Sequence, residues 1–294
     1  MATEANIKNR RQYGLRHAAN GLKHLLAVIR AQIQSGLKAI AKASLRQVWV
    51  LNSRIGPTVS LPFAFKLIVV LVGYEEKRMQ NIEPLIRSAL KCTFVEKVIA
   101  SNNNPRLHIR DWVKITNPRL KLIDQIVPRG SGYRWVLIEQ ESANFILTID
   151  DDILLCPQQM ACLFAQLVAK PDVPHGLAGH ADSGYIQCQD AAVNALYQVY
   201  AVTALQVKLY FERINEIRVL DQAVFDSIEY FGDDLVISAV GASHPLIHNV
   251  GFVLRCTTAS QIGVATFTQP DFEAKRVAIQ KCLAATSVKS EAGR

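Results

Sequence analysis

Apolar residues follow two regimes along this chain. From Leu22 to Val48 the residues Leu22, Leu25, Leu26, Ile29, Ile33, Leu37, Ile40 and Val48 recur at three and four with one longer gap, and Lys and Arg fall between them. That period predicts a basic amphipathic helix. Gly56, Pro57 and Pro62 then interrupt the pattern. The next segment, Phe65–Val72, is an apolar run rich in β-branched residues, of the kind that fills a parallel strand buried on both faces. The expected organisation is an arm over residues 1–60 and a domain over residues 61–294.

Within the domain, the pattern predicts helices at Met79–Leu90, Gln158–Ala169, Ala191–Phe211 and Asp234–Val240. Strands are expected at Val95–Ala100, Leu120–Val127 and Phe145–Ile149. Strands that alternate with helices imply an α/β fold with a mixed, largely parallel sheet flanked by helices.

Charge separates the same two parts. The 294 residues carry a formal net charge of +8, yet residues 1–60 hold ten Lys or Arg against one acid, Glu4. Positions 61–294 are left with 23 basic and 24 acidic residues, so the domain is nearly neutral. A basic pI therefore says nothing about polyanion binding by the domain, and no nucleic-acid partner is expected. For the arm three readings stand: its apolar face packs on the domain or on a second copy, it lies on an anionic membrane surface, or it is a targeting segment. No run reaches the roughly 20 apolar residues of a membrane span. The six cysteines show neither a C-x-x-C pair nor zinc spacing, and read as free thiols.

The chemistry concentrates where Phe145-Ile-Leu-Thr-Ile149 runs into Asp150, Asp151 and Asp152. Open α/β sheets bind ligands at the carboxyl ends of their strands. In an extended chain alternate side chains share a side, so Asp150 and Asp152 are expected to point together, about 6.6 Å apart along the strand, as a pair that holds one cation, while Asp151 faces elsewhere. Three adjacent acids at the end of a buried strand are costly without compensation. A hard divalent ion, Mn2+ or Mg2+, compensates them and completes its shell with substrate phosphates and water, which suits a nucleotide-diphosphate donor. Upstream, Arg129-Gly-Ser-Gly-Tyr-Arg134 reads as a flexible loop with two guanidinium groups suited to phosphate. Asp233 and Asp234 open a short helix, either as helix-terminus acids or as substrate-facing groups. His180, His244 and His248 read as structural, with His248 a minor candidate ligand.

Taken in order, these residues resemble the exostosin-type glycosyltransferases, family 64, over roughly Phe65–Val250. The strand ending at Tyr74 is followed by a helix, then by Lys97-Val-Ile-Ala-Ser-Asn-Asn-Asn-Pro105. An arginine sixteen positions before the first Asp, the Ile-Asp-Asp-Asp-Ile segment and Asp233-Asp234 complete the series. The resemblance implies a GT-A nucleotide-sugar fold, a UDP-sugar donor, Mn2+ and transfer with retention to a glycan or lipid-linked acceptor. It implies that Tyr74, Asn103 and Asn104 hold uridine and ribose, and that Arg134 lies near the diphosphate. It also implies that Asp152 is the direct metal ligand, that Asp150 and Asp151 hold ribose or metal-bound water, and that Asp234 supports the transferred sugar and acceptor. The chain departs from the family at Asn102, where an aromatic is usual, and at Gly232, where a disulfide cysteine is usual. That missing cysteine favours a reducing compartment, so a cytoplasmic enzyme, held peripherally at a membrane by its arm, is expected.

Two other readings remain open at this point: a nucleotidyltransferase or inverting transferase on the same scaffold, and a non-catalytic module whose arm binds membrane or nucleic acid. A D-x-D phosphatase is disfavoured, because Asp152 is followed by Ile153-Leu154.

Overall fold

A computed structural model describes residues 40–139, 141–256, 258–259, 261 and 266–292. The chain divides into two compact units, Met1–Val48 and Trp49–Arg294. Residues 40–55 are helical, and the part of the expected amphipathic helix before residue 40 lies outside the described residues. The boundary expected at residue 60 falls inside the second unit. There Trp49 is buried in the domain core, and Val59 forms a parallel bridge to Cys92.

The sheet is built on β1 (Leu67–Gly73), whose seven residues are all buried. It pairs in parallel with β2 (Val95–Asn102) and with β4 (Phe145–Asp150), and β3 (Leu120–Asp124) adds in parallel outside β2. Four short strands extend the other side: β5 (His175–Gly176), β6 (Ala191–Ala192), β7 (Val199–Thr203) and β8 (Leu246–Ile247). The order is β3-β2-β1-β4-β7-β5-β8-β6, with β7 antiparallel to β4.

Alternation along β1 assigns its side chains to two layers. Leu67, Val69 and Leu71 pack with Leu85 and Ile86 of α1 (Ile82–Leu90) and with Phe164 of α3 (Pro157–Ala169). Ile68, Val70 and Val72 pack with Trp135 of α2 (Tyr133–Glu139), Tyr210 of α4 (Ala204–Leu220), Ile228 of α5 (Gln222–Phe231), Val236 of α6 (Asp233–Ser238) and Ile279 of α7 (Phe272–Ala292). Burial on both faces is why the strand reads as a continuous apolar run. Each such side chain contributes about 1.5–3 kcal/mol by leaving water.

One expected element is different. Ala191–Phe211 is not a single helix: it supplies β6, Ala195–Leu196 in a small three-stranded sheet, and β7, and only then enters α4. Val199, Val202 and Thr203 are β-branched and favour the sheet. Thr203 fixes the switch, its Oγ1 accepting from Gln206 N at 3.3 Å while Gln206 Oε1 accepts from Thr203 N at 2.9 Å.

Beside β7, His175 and His248 stack with Nδ1 and Nε2 2.8 Å apart, and His175 Nε2 donates to Lys170 O at 2.7 Å. With its Nε2 proton so committed, a neutral His175 accepts from His248. His248 is thus part of a structural pair, its other ring nitrogen 3.4 Å from Asp190. His180 and His244 are exposed.

Burial pushes His175 down to about 4, with the neighbouring His248 adding to the effect. In the unfolded chain a histidine protonates near its ordinary value of about 6.5. The unfolded state therefore binds this histidine's proton first, and the contribution of His175 to stability is expected to fall as pH drops from about 6.5 to about 4, by up to about 3 kcal/mol. Urea unfolding of wild type and His175→Asn across this range isolates that contribution, because the buried acids act alike in both: the variant should gain stability relative to wild type as pH falls.

Candidate functional site

The register of the parallel strands sets the site. Gly73 lies opposite Asn102 and Val72 opposite Asp150, so the carboxyl ends of β1, β2 and β4 meet at one edge. Tyr74, Asn103 and Asn104 leave this edge from β1 and β2, and the three consecutive acids leave it from β4.

The acids divide between two arginines, and not by strand alternation. Asp150 turns to Arg134, whose Nη2 lies 2.7 Å from Asp150 Oδ1. Asp151 and Asp152 both face Arg78, whose Nη1 is 3.3 Å from Asp151 Oδ1 and 3.2 Å from Asp152 Oδ2. The expectation that Asp150 and Asp152 share a side therefore fails in this respect. Extended structure ends at Asp150 and the chain turns at 151–152, so the two-residue period no longer applies. Gln198 Nε2 donates to the other oxygen of Asp152 at 3.0 Å. Gln198 holds a left-handed φ of 67°, uncommon for a residue with a side chain, while its carbonyl accepts from Asp150 N at 2.9 Å.

Asp233 and Asp234 join from the start of α6, both buried. Asp233 Oδ2 is 3.4 Å from Arg134 Nε and accepts from Trp135 Nε1 at 3.2 Å, and its Oδ1 accepts from Ser131 Oγ at 3.2 Å. Asp234 takes a two-point bond from Arg276 of α7, at 2.7 and 2.8 Å. Arg276 also reaches Tyr197 Oη at 3.4 Å, and Tyr197 stacks on the exposed Tyr185.

Five carboxylates thus meet three guanidinium groups in direct contact. A fourth, Arg255, attracts Asp152 through space while donating to Tyr185 Oη. Burial and the charge of neighbouring acids show in their titration. Burial and the charge of Asp152 push Asp151 up to about 7, against the pull of Arg78. Burial and the charge of Asp150 push Asp152 up to about 6. Burial likewise raises Asp233 to about 6, against Arg134. Burial works to lower Arg134, but Asp150 and Asp233 hold it above its ordinary range.

Two expected contact residues are spent inside the protein. Arg134 is 1 % exposed and joins Asp150 to Asp233. It is a strut between acids, not an arm extended to a phosphate. Asn103 is 2 % exposed, its Oδ1 accepting from Ser101 Oγ at 2.7 Å and its Nδ2 donating to Gly130 O at 2.8 Å. It therefore anchors the 129–132 loop. Tyr74, 48 % exposed, and the half-buried Asn104 remain accessible, with Asn104 Nδ2 donating to Tyr74 O at 3.0 Å.

The glycines of Arg129-Gly-Ser-Gly-Tyr-Arg134 serve close packing instead of a ligand. A Cβ on Gly130 would lie 2.2 Å from Glu229 O, and one on Gly132 2.8 Å from Asp233 Cβ. Gly232, where a cysteine was the family expectation, has a similar reason: a Cβ there would lie 2.4 Å from Ile279 Cδ1 of α7. All six cysteines are free.

Arg78, Gln198 and Arg276 were not legible as site residues. Arg78 follows the first strand closely enough to have been suspected, whereas Arg276 reaches Asp234 from 42 positions away. Among the described residues no group of three or more His, Cys, Asp or Glu side chains is disposed to hold a metal ion. An ion here would rest on one or two of Asp150, Asp151 and Asp152 and take its remaining ligands from substrate and water.

No family model matches the chain, and no curated protein matches it in sequence. Solved structures do match. Over 75 % of this chain, a crystal structure of GalNAc-T7 with UDP, GalNAc and Mn2+ superposes with a TM-score of 0.50 at 11 % identity. The fold is that of the GT-A nucleotide-sugar transferases. The match covers 48 % of the transferase, so this chain spans about half its length. A CMP:2-keto-3-deoxy-manno-octonic acid synthetase complexed with CTP matches over 50 % of this chain with a TM-score of 0.36 and 11 % identity. The exostosin assignment goes further than this shared fold.

Because buried Ile279 has little room to yield, Gly232→Cys is expected to cost about 1–3 kcal/mol in urea unfolding. Ile279→Val removes the Cδ1 that a new Cβ would strike, and the double variant should recover part of the loss.

Proposed function

We propose that this chain is a glycosyltransferase that moves a sugar from a UDP-sugar to a glycan or lipid-linked acceptor, with retention of configuration, in the manner of the exostosin-type family. The observation that carries this is the group of five acids at the carboxyl edge of a GT-A sheet, held by only three contacting arginines. An excess of negative charge in a buried site calls for a small, highly charged cation. Mn2+ or Mg2+ supplies it, and when bound stabilises the negative charge that develops on a departing diphosphate.

Each residue's role follows from its exposure and partners. Tyr74 and Asn104, accessible above β1 and β2, contact the uridine and ribose. Asp152 holds the ion, with Asp150 and Asp151 binding ribose or metal-bound water. Arg134 and Asn103 act from behind: the first fixes Asp150 and Asp233, the second fixes the loop that carries Ser131. Asp234, oriented at two points by Arg276, supports the transferred sugar and the acceptor hydroxyl through hydrogen bonding and charge.

Among the described residues no helix is long and apolar enough to cross a membrane. The basic arm supports peripheral attachment to an anionic surface, where a lipid-linked acceptor would lie. The free cysteines support a reducing compartment such as the cytoplasm.

The test is Mn2+-dependent turnover of a panel of UDP-sugars, with the anomeric configuration of any product read by NMR. Asp152→Asn should weaken metal-dependent UDP binding, and Asp234→Asn should lower kcat on the order of a hundredfold while leaving UDP affinity close to wild type. Unchanged UDP binding and turnover in Asp152→Asn would overturn the assignment of the acids.

A further inference from the structure

Arg78 touches two of the three consecutive acids at once. The far side of its guanidinium is also fixed, Nη2 donating to Thr258 O at 2.8 Å and Nε to Thr258 Oγ1 at 3.2 Å. The residue is only 9 % exposed. Since Gln198 Nε2 occupies Oδ1 of Asp152 and Arg78 faces Oδ2, both oxygens of the expected metal ligand are engaged by the chain's own donors. The segment after Asp152 is tied to the same place, because Cys256 N donates to Asp152 O at 2.8 Å and Leu254–Arg255 pairs with Ile153–Leu154.

A divalent cation bonds carboxylate oxygen at about 2.0–2.6 Å. A guanidinium in contact with that same oxygen would then face a second cation at short range in a poorly solvated site, where repulsion is strong. The two cannot hold Asp152 Oδ2 together. We propose that Arg78 is a built-in counter-ion that competes with the divalent ion for Asp151 and Asp152, and that ion binding expels its guanidinium and releases the bonds to Thr258. This rests on the metal-binding role proposed for Asp152.

Two consequences follow from the competition. The ion alone must displace a buried, multiply bonded cation, so it binds weakly. A nucleotide diphosphate changes the balance, because it adds oxygen ligands to the ion and offers the displaced guanidinium a new anion. Metal and nucleotide therefore bind with positive coupling, and part of that coupling belongs to Arg78.

The experiment titrates Mn2+ into wild type and Arg78→Met without nucleotide, following free Mn2+ by electron paramagnetic resonance, and records thermal melts in chelator and in Mn2+. Arg78→Met is expected to bind Mn2+ about tenfold tighter than wild type, within the usual range for coupled sites. Its Tm, lowered in chelator by unbalanced acids, should rise with Mn2+ by more than that of wild type. If the variant fails to fold in chelator, refolding on addition of Mn2+ supports the inference, and no refolding overturns it. Affinity equal to or weaker than wild type also overturns it. If wild type meanwhile binds Mn2+ and UDP together, the proposed function stands without this role for Arg78. Absence of Mn2+ binding by both proteins, with and without UDP, removes the metal reading as well.

Discussion

The structure is organised around an electrostatic cost. Asp150, Asp151, Asp152, Asp233 and Asp234 are gathered at one edge of a buried sheet, where water screens them poorly. Like charges in such a place repel and lose hydration, so each needs a cation or donors at hand. The chain answers with Arg134 between Asp150 and Asp233, Arg78 on Asp151 and Asp152, and Arg276 on Asp234. These contacts offset part of the cost, while burial, together with the charge of neighbouring acids, still raises Asp151, Asp152 and Asp233. That cost is what supports the proposed uptake of a cation.

Much of the surrounding packing serves to place those arginines. Gly130 and Gly132 let the loop before α2 press against the end of α5, which seats Ser131, Arg134 and Trp135 around Asp233. Gly232 lets α7 approach closely enough for Ile279 to join the core and for Arg276 to meet Asp234. Gln198 accepts a left-handed backbone and in return bonds both Asp150 and Asp152. One left-handed residue and three close-packed glycines thus lie beside the acids, where functional geometry commonly takes precedence over local preference.

The sequence by itself determined the scaffold and the location of the acids. The apolar run of β1, the strand–helix alternation and the three aspartates at the end of β4 are local patterns, set by periodicity and by neighbours in the chain, and these survive as read. Tertiary structure decided the segment from Ala191, where pairing of β6 with β8 and of β7 with both β4 and β5 overrode a helical pattern, and decided which acid meets which arginine. Asp150 and Asp152 diverge because the strand stops between them, while Arg276 and Asp234 join because two helices pack. Contacts of that kind depend on where separate segments come to rest in space, and spacing along a chain carries no record of it.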